Sequence, residues 1–299
     1  MKESVAQPSP VIIEVAVNGG TPKSRNPNVP RTPAEVAEDA IRCIDAGASI
    51  VHNHTDDPVI GGSGVHAWEP YLEAWQLILK ERPGAILYTT MAGGGPHVTI
   101  EQRYSHVVRL AAEGVLGLGL VDPGSVNFGG VDEGGLPRPV DIVYQNTFRD
   151  IRYMFETCER LGLGASISIF EPGFLRVVTA YHRAGRLPPC MVKLYMNDAG
   201  RGIGYGLPPT LPSLEAYLAM MEGASIPWLV SATGGDAVGC GIAELAMRRG
   251  GHVQVGLEPY GGLGAPTNVE LVRGAVEVAG RVGRPVASSQ QAREIIGLT

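Results

Sequence analysis

Two histidines in the run Ile50-Val-His-Asn-His-Thr-Asp-Asp57 carry the strongest chemical signal in this chain. The residues Ala48 to Val51 ahead of them are apolar or small and read as a buried strand. Strand side chains alternate faces, so His52 and His54 point the same way. Two imidazoles side by side at a strand end supply two of the ligands a zinc site needs; one core histidine beside one loop histidine is the plainer alternative. Glu258, closing the last apolar strand, is a natural third ligand unless it is only a loop acid. Two nitrogens and one oxygen then leave an open position of the catalytic kind. Glu14 interrupts the apolar run Val11 to Val17 and is expensive to bury unless it is paired, hydrogen-bonded or near a metal. It is expected beside the metal as base, orienter or extra ligand, with an ion pair to a lysine such as Lys193 as the competing expectation.

The elements that must position these groups alternate along the whole chain. Strands are expected at Val11 to Val17, Ala48 to Val51, Ala85 to Thr89, Val115 to Leu120, Ala165 to Ile169, Met191 to Tyr195, Trp228 to Ser231 and His252 to Leu257. Helices are expected between them, from a capping box at Thr32-Pro-Ala-Glu35 through Ala46, then Trp68 to Lys80, Thr99 to Glu113, Val140 to Leu161, Phe174 to Ala184, Ser213 to Glu222 and Asp236 to Arg249. A last helix begins near Asn268. Eight strand–helix units without a composition break give a single (β/α)8 TIM barrel over residues 1–299 with a short C-terminal extension. A doubly wound sheet is the alternative, and the count of eight favours the barrel.

Barrel chemistry sits at the C-terminal strand ends. Those ends offer Thr89 and Thr90 before the glycines 93 to 95, Ser125 and Asn127 after the fourth strand, Glu171 after the fifth, Asn197 and Asp198 after the sixth, and Ser231 after the seventh. The Thr-Thr-Met-Ala-Gly-Gly-Gly95 turn, with Gly93 in it, offers hydroxyls and backbone N–H groups suited to a carboxylate, or is simply a tight turn. Gly234-Gly235, expected to open the helix after the seventh strand, sits where many barrels hold a phosphate, which suggests a phosphorylated ligand or coenzyme A. Lys23 and Arg25 in the first loop could meet the same phosphates.

Composition narrows the partners. A net charge of −6 without a basic cluster argues against nucleic acid and gives no attraction to an anionic membrane, so small molecules are expected. The cysteines at 43, 158, 190 and 240 show no CxxC spacing and read as reduced thiols. No apolar run reaches the roughly 18 residues of a membrane span, and the start MKESVAQPSP lacks a signal-peptide apolar region, so a cytoplasmic location is expected.

Several segments together resemble the β-keto acid cleavage enzymes: Glu14-Val-Ala-Val-Asn-Gly, Gly47-Ala-Ser-Ile-Val-His-Asn-His54, Gly124-Ser-Val-Asn-Phe128, Gly250-Gly-His-Val-Gln-Val-Gly-Leu-Glu258 and the tail Gly283 to Arg293. The resemblance implies a zinc-dependent barrel, oligomeric as a dimer or tetramer. It further implies the reaction of a β-keto acid with acetyl-CoA, giving acetoacetate and a new acyl-CoA. It also implies that His52, His54 and Glu258 bind zinc, that Glu14 supports the site, and that Ser125, with Thr89 or Thr90, holds the substrate carboxylate. The chain departs from the family pattern at Gln254, where an arginine is usual, and at Pro259, where an aspartate is usual. Ser168 stands for the strand-5 acid, with Glu171 nearby, and Asp56 for a basic residue. Proline cannot move a proton, so the expected reaction uses different residues, Glu14 or Glu171. The rivals are a zinc aldolase, decarboxylase or hydrolase that acts on an oxo acid without CoA, and a non-catalytic ligand-binding barrel.

Overall fold

The computed structural model describes residues 9–95, 97–198 and 204–298. Strands β1 (Ile13–Ala16), β2 (Ile50–His52), β3 (Ile86–Tyr88), β4 (Leu118–Val121), β7 (Gly164–Ile169), β8 (Cys190–Asn197), β9 (Trp228–Thr233) and β10 (His252–Val255) form one parallel sheet, and β5 (Val126–Asn127) pairs antiparallel with β6 (Val143–Tyr144). The large sheet runs β3-β2-β1-β10-β9-β8-β7-β4. Its two ends meet where the Gly117 N–H donates to the Leu87 carbonyl at 2.8 Å, so the barrel is nearly closed. The eight-stranded TIM barrel expected from the strand–helix alternation is therefore present.

Helices α1 (Pro33–Ala46), α2 (Glu69–Glu81), α3 (Ile100–Arg103), α4 (Ser105–Ala112), α5 (Phe148–Leu161), α6 (Leu175–Arg183), α7 (Leu211–Met220), α8 (Ile242–Arg248), α9 (Asn268–Val282) and α10 (Ser289–Ile296) lie along the chain between and after the strands. Local chemistry sets several starts. Reciprocal capping boxes join Thr32 to Glu35, Thr147 to Asp150, Thr267 to Glu270 and Ser288 to Gln291, satisfying backbone donors that the first turn leaves free. The strands are buried on both faces, by helices outside and by packed side chains within, which is why they read as nearly continuous apolar runs.

Two helix boundaries correct the sequence expectation. The segment expected to start a helix at Val140 instead forms β6, and helix α5 begins at Phe148 behind the Thr147 cap. Gly234-Gly235 opens no helix: α8 starts at Ile242 after a turn in which the Asp236 carboxylate accepts from the Val238 N–H at 2.9 Å. Among the described residues no helix is long and apolar enough to cross a membrane.

Candidate active site

Side-chain alternation along β2 sends His52 and His54 to one face and Asn53 to the other, where its amide oxygen accepts from the Trp75 indole at 2.8 Å. The residue beyond the strand is fixed by Asn18. Its side-chain oxygen accepts from the His54 N–H at 2.8 Å and its amide donates to the His54 carbonyl at 3.0 Å. Glu258 arrives from beyond β10 through Gly256 and packs against Gly19 on the loop after β1, and neither glycine could be replaced without movement. Gly256 has φ +128° and a Cβ there would lie 2.2 Å from the Ala16 carbonyl oxygen. Gly19, at φ +51°, faces Glu258 so closely that a Cβ would lie 2.3 Å from Cγ of the glutamate.

Glu258 consequently sits between the imidazoles. Its Oε2 lies 3.2 Å from His52 Nε2 and its Oε1 lies 3.3 Å from His54 Nε2. The three ligand atoms fall within 4.8 Å of one another. His52 Nδ1 faces the Tyr88 carbonyl at 3.3 Å, and a carbonyl only accepts, so the proton sits on Nδ1 and the Nε2 lone pair faces Glu258. Burial pushes the His52 imidazole below its ordinary pKa and so favours that neutral form. His54 Nε2 and Glu258 Oε2 are buried without a hydrogen-bond partner. Facing acceptors with no donor between them fit a bound cation, and this donor set suits zinc.

A polar network braces the triad from inside the barrel. Glu14 and Gln254 are register neighbours on β1 and β10, and the Gln254 amide donates to Glu14 Oε1 at 2.6 Å. The Tyr88 hydroxyl also donates to Glu14 Oε1 and accepts from Lys193 Nζ at 2.9 Å. The Tyr88 ring stacks on His52 with centroids 4.5 Å apart. Burial first, and then the Glu14 carboxylate, push the phenol well above its ordinary value, so Tyr88 keeps its proton. Glu14 therefore meets Lys193 through Tyr88, which replaces both the direct ion pair and the metal-ligand expectation. Glu14, Lys193 and Gln254 are all buried.

The triad opens into a cavity of about 420 Å³, also lined by Tyr88, Thr89, Thr90, Asp122, Ser168 and Lys193. Thr89 Oγ1 is bonded to His106 Nε2 at 3.2 Å. Arg25 reaches this cavity, whereas Lys23 pairs with Glu35 at 2.5 Å. Other expected site residues fall elsewhere. Ser125 and Glu171 line a separate apolar groove beside Phe174. The Ser125 hydroxyl donates to the Asn146 carbonyl at 3.1 Å, and Glu171 accepts from the Gly206 N–H at 3.1 Å. Asn127 is exposed on the small hairpin. Gly93 borders a third cavity near Arg103, and its N–H donates to the Val59 carbonyl at 2.7 Å instead of facing a substrate. Gly234 and Gly235 donate to Pro259 and Ala232 carbonyls at 2.8 and 3.3 Å, so neither N–H is free to cradle a phosphate.

Tyr88, Asp122 and Lys193 are among the cavity residues that sequence reasoning leaves out of the site, Lys193 entering only as an ion-pair partner. Tyr88 lies within an apolar strand and Asp122 closes another, while Lys193 interrupts Met191-Val-Lys-Leu-Tyr195 just as Glu14 interrupts its own strand. A lone charge in an apolar strand was a usable signal.

The model of the β-keto acid cleavage enzyme family matches residues 10–298. The chain belongs to that family. The 3-keto-5-aminohexanoate cleavage enzyme of Acetoanaerobium sticklandii is 29% identical over 294 residues, covering 97% of this chain and 98% of its own. The 3-dehydrocarnitine:acetyl-CoA trimethylamine transferase of Rhizobium meliloti is 28% identical, covering 97% of each chain. The 3-oxoadipate:acetyl-CoA acetyltransferase of Cupriavidus necator is 28% identical over 297 residues, covering 97% and 95%. Among solved structures, the ternary complex of ObcA with a C4-CoA adduct and oxalate superposes with a TM-score of 0.67 at 20% identity, covering 92% of this chain and 68% of that one, a likeness of fold. As a member of the β-keto acid cleavage enzyme family, the chain is an enzyme.

Proposed function

We propose that this enzyme cleaves a β-keto acid by acyl exchange with acetyl-CoA, yielding acetoacetate and an acyl-CoA, on a zinc ion held by His52, His54 and Glu258. The observation that carries the reading is the convergence of these three side chains, acceptor facing acceptor, at one cavity of a β-keto acid cleavage family barrel. When bound, zinc would supply the Lewis acidity that polarises a keto oxygen and stabilises enolate-like charge.

The protein's own groups do the rest. His52 is held in its ligating tautomer by the Tyr88 carbonyl, and Asn18 fixes the backbone of His54. Lys193 Nζ is the buried cation lining the cavity and provides the charge opposite a substrate carboxylate, the task expected of Ser125 from sequence. Tyr88 holds its proton between Lys193 and Glu14 and couples a buried acid that does not itself line the cavity to groups that do. Glu171, in the other groove, takes no part.

A second reading rests on Pro259, which lines the cavity beside Glu258 and carries no group able to move a proton: CoA-free cleavage or decarboxylation of the same keto acid. Elemental analysis and a panel of β-keto acids with and without acetyl-CoA separate the two. Stoichiometric zinc with acetyl-CoA-dependent acetoacetate is expected. Cleavage at equal rate without acetyl-CoA would establish the second reading, and full activity of His54→Ala would sink both.

A further inference from the structure

Acyl exchange needs a proton taken from the carbon between the keto and carboxylate groups, and Pro259 cannot take it. Another group of the cavity must. Among the described residues that line it, Asp122 and Glu258 are the carboxylates. Glu258 is committed to the metal, as are the Nε2 lone pairs of His52 and His54. Arg25 and Lys193 are cations with no lone pair to offer. Burial pushes the Tyr88, Tyr144, Tyr195 and Tyr205 phenols up, so they keep their protons. Glu14 does not line the cavity, and Glu171 lines another groove.

Asp122 remains. It follows β4 and is 4% exposed. Its Oδ2 accepts from the Tyr144 hydroxyl at 2.5 Å, while Oδ1 has no hydrogen-bond partner among the described residues. Tyr144 is held in turn by Phe128, stacked on it with centroids 5.3 Å apart, and by the Arg103 guanidinium 5.7 Å over its ring. One oxygen thus fixes the carboxylate and the other keeps its lone pairs. Around the closed ring the strands run β2, β3, β4, β7, β8, so Asp122 stands midway between the strand of His52 and that of Lys193. A β-keto acid with its keto oxygen at the triad and its carboxylate at Lys193 presents its middle carbon to that wall.

We propose that Asp122 is the general base of the reaction: its Oδ1 takes the proton from the carbon between the keto and carboxylate groups and returns it at the end of the cycle. The assignment rests on the acyl-exchange reading above. The electron pair of the broken C–H bond forms the enolate, whose carbon attacks the acetyl carbonyl of acetyl-CoA. A C–C bond forms as the C–S bond breaks, releasing the CoA thiolate. The thiolate then adds to the substrate's own keto carbon, and the bond from that carbon to the middle carbon breaks. The pair left on the middle carbon, now part of acetoacetate, takes back the proton held by Asp122. Atoms and charge balance with no further reactant.

The test follows exchange of the C2 hydrogens of acetoacetate for deuterium in D2O, by NMR, on the zinc-loaded enzyme without acetyl-CoA. Wild type should exchange well above the enzyme-free rate. Asp122→Asn should lower that enzymatic rate by at least ~10²-fold, the smaller end of what a positioned base contributes. Calorimetric titration should find acetoacetate bound nearly as in wild type, a split between chemistry and binding that a merely structural role would not give. If D122N fails to bind, Asp122→Glu decides, because it restores a carboxylate: exchange above that of D122N supports the assignment, and exchange at the enzyme-free rate overturns it. Wild type without enzymatic exchange, or D122N exchanging as fast as wild type, also overturns it. The acyl-exchange reading fails separately. Wild type that exchanges the C2 hydrogens through Asp122 but makes no acetoacetate from other β-keto acids with acetyl-CoA would sink that reading and leave Asp122 as the base of enolisation.

Discussion

Tyr88→Phe removes one hydroxyl and keeps the ring that stacks on His52. That hydroxyl donates to Glu14 and accepts from Lys193, so its loss withdraws a donor from a fully buried carboxylate and an acceptor from a buried ammonium. Hydrogen bonds to charged groups contribute about 1.5–3 kcal/mol each, so the pair sums to about 3–6 kcal/mol. For a chain of this size about 2 °C is lost per kcal/mol, which predicts a fall in Tm of roughly 6–12 °C. Thermal and urea unfolding of the zinc-free protein read this directly, without the stabilisation that a bound metal adds. Lys193→Met adds a second arm. Once the ammonium is gone, the hydroxyl has less to satisfy, so the double variant should be more stable than the sum of single effects by at least about 1 kcal/mol. A Tyr88→Phe variant within 2 °C of wild type, or strictly additive losses, would show that the hydroxyl is not the link between Glu14 and Lys193.

Glu258→Gln keeps the shape of the third ligand but removes its charge, and zinc per chain, measured after dialysis against a weak chelator, should fall from near stoichiometric to trace. Gly19→Ala leaves all three ligands in place but forces Glu258 to move, since the new Cβ would lie 2.3 Å from its Cγ. Zinc affinity should drop by about 10–100-fold, the scale seen when a ligand's support is disturbed, and an unchanged Kd in a competitive chelator titration would contradict the packing argument. Stability should also fall on mild acidification. Burial pushes His252, whose Nδ1 accepts from the Ile12 N–H, down to about 3, and His106 down to about 4. Both therefore bind fewer protons folded than unfolded between those values and 6.5. The stabilisation is complete above 6.5 and is lost as the pH drops, at up to about 2.7 kcal/mol per pH unit for the two together. Urea midpoints that stay level from pH 6.5 to pH 5 would refute it.

The parts of this protein that could be read from sequence are those that local periodicity encodes. Strand alternation placed His52 and His54 on one face, and the eightfold repeat led to the barrel that the sheet order displays. The misreadings share a different cause. Gly124-Ser-Val-Asn-Phe128 follows a strand, so its pattern places Ser125 and Asn127 at a strand end facing the site. The chain instead leaves the barrel there and pairs with Val143–Tyr144, and that hairpin carries Ser125 to a bond with Asn146. The residues expected to be helical from Val140 are the hairpin's second strand, so one unrecognised pairing accounts for both errors. The inner network was hidden by distance along the chain: Tyr88 lies 74 residues from Glu14 and 105 from Lys193, and Gln254 lies 240 from Glu14. No window of sequence holds such partners, but each announces itself by its cost. A lone Glu, Lys or Asp in or at the edge of an apolar strand must find a partner in the fold, and Glu14 and Lys193 find theirs through Tyr88. One oxygen of each buried acid, Glu14 Oε2 and Asp122 Oδ1, still has no hydrogen-bond partner among the described residues.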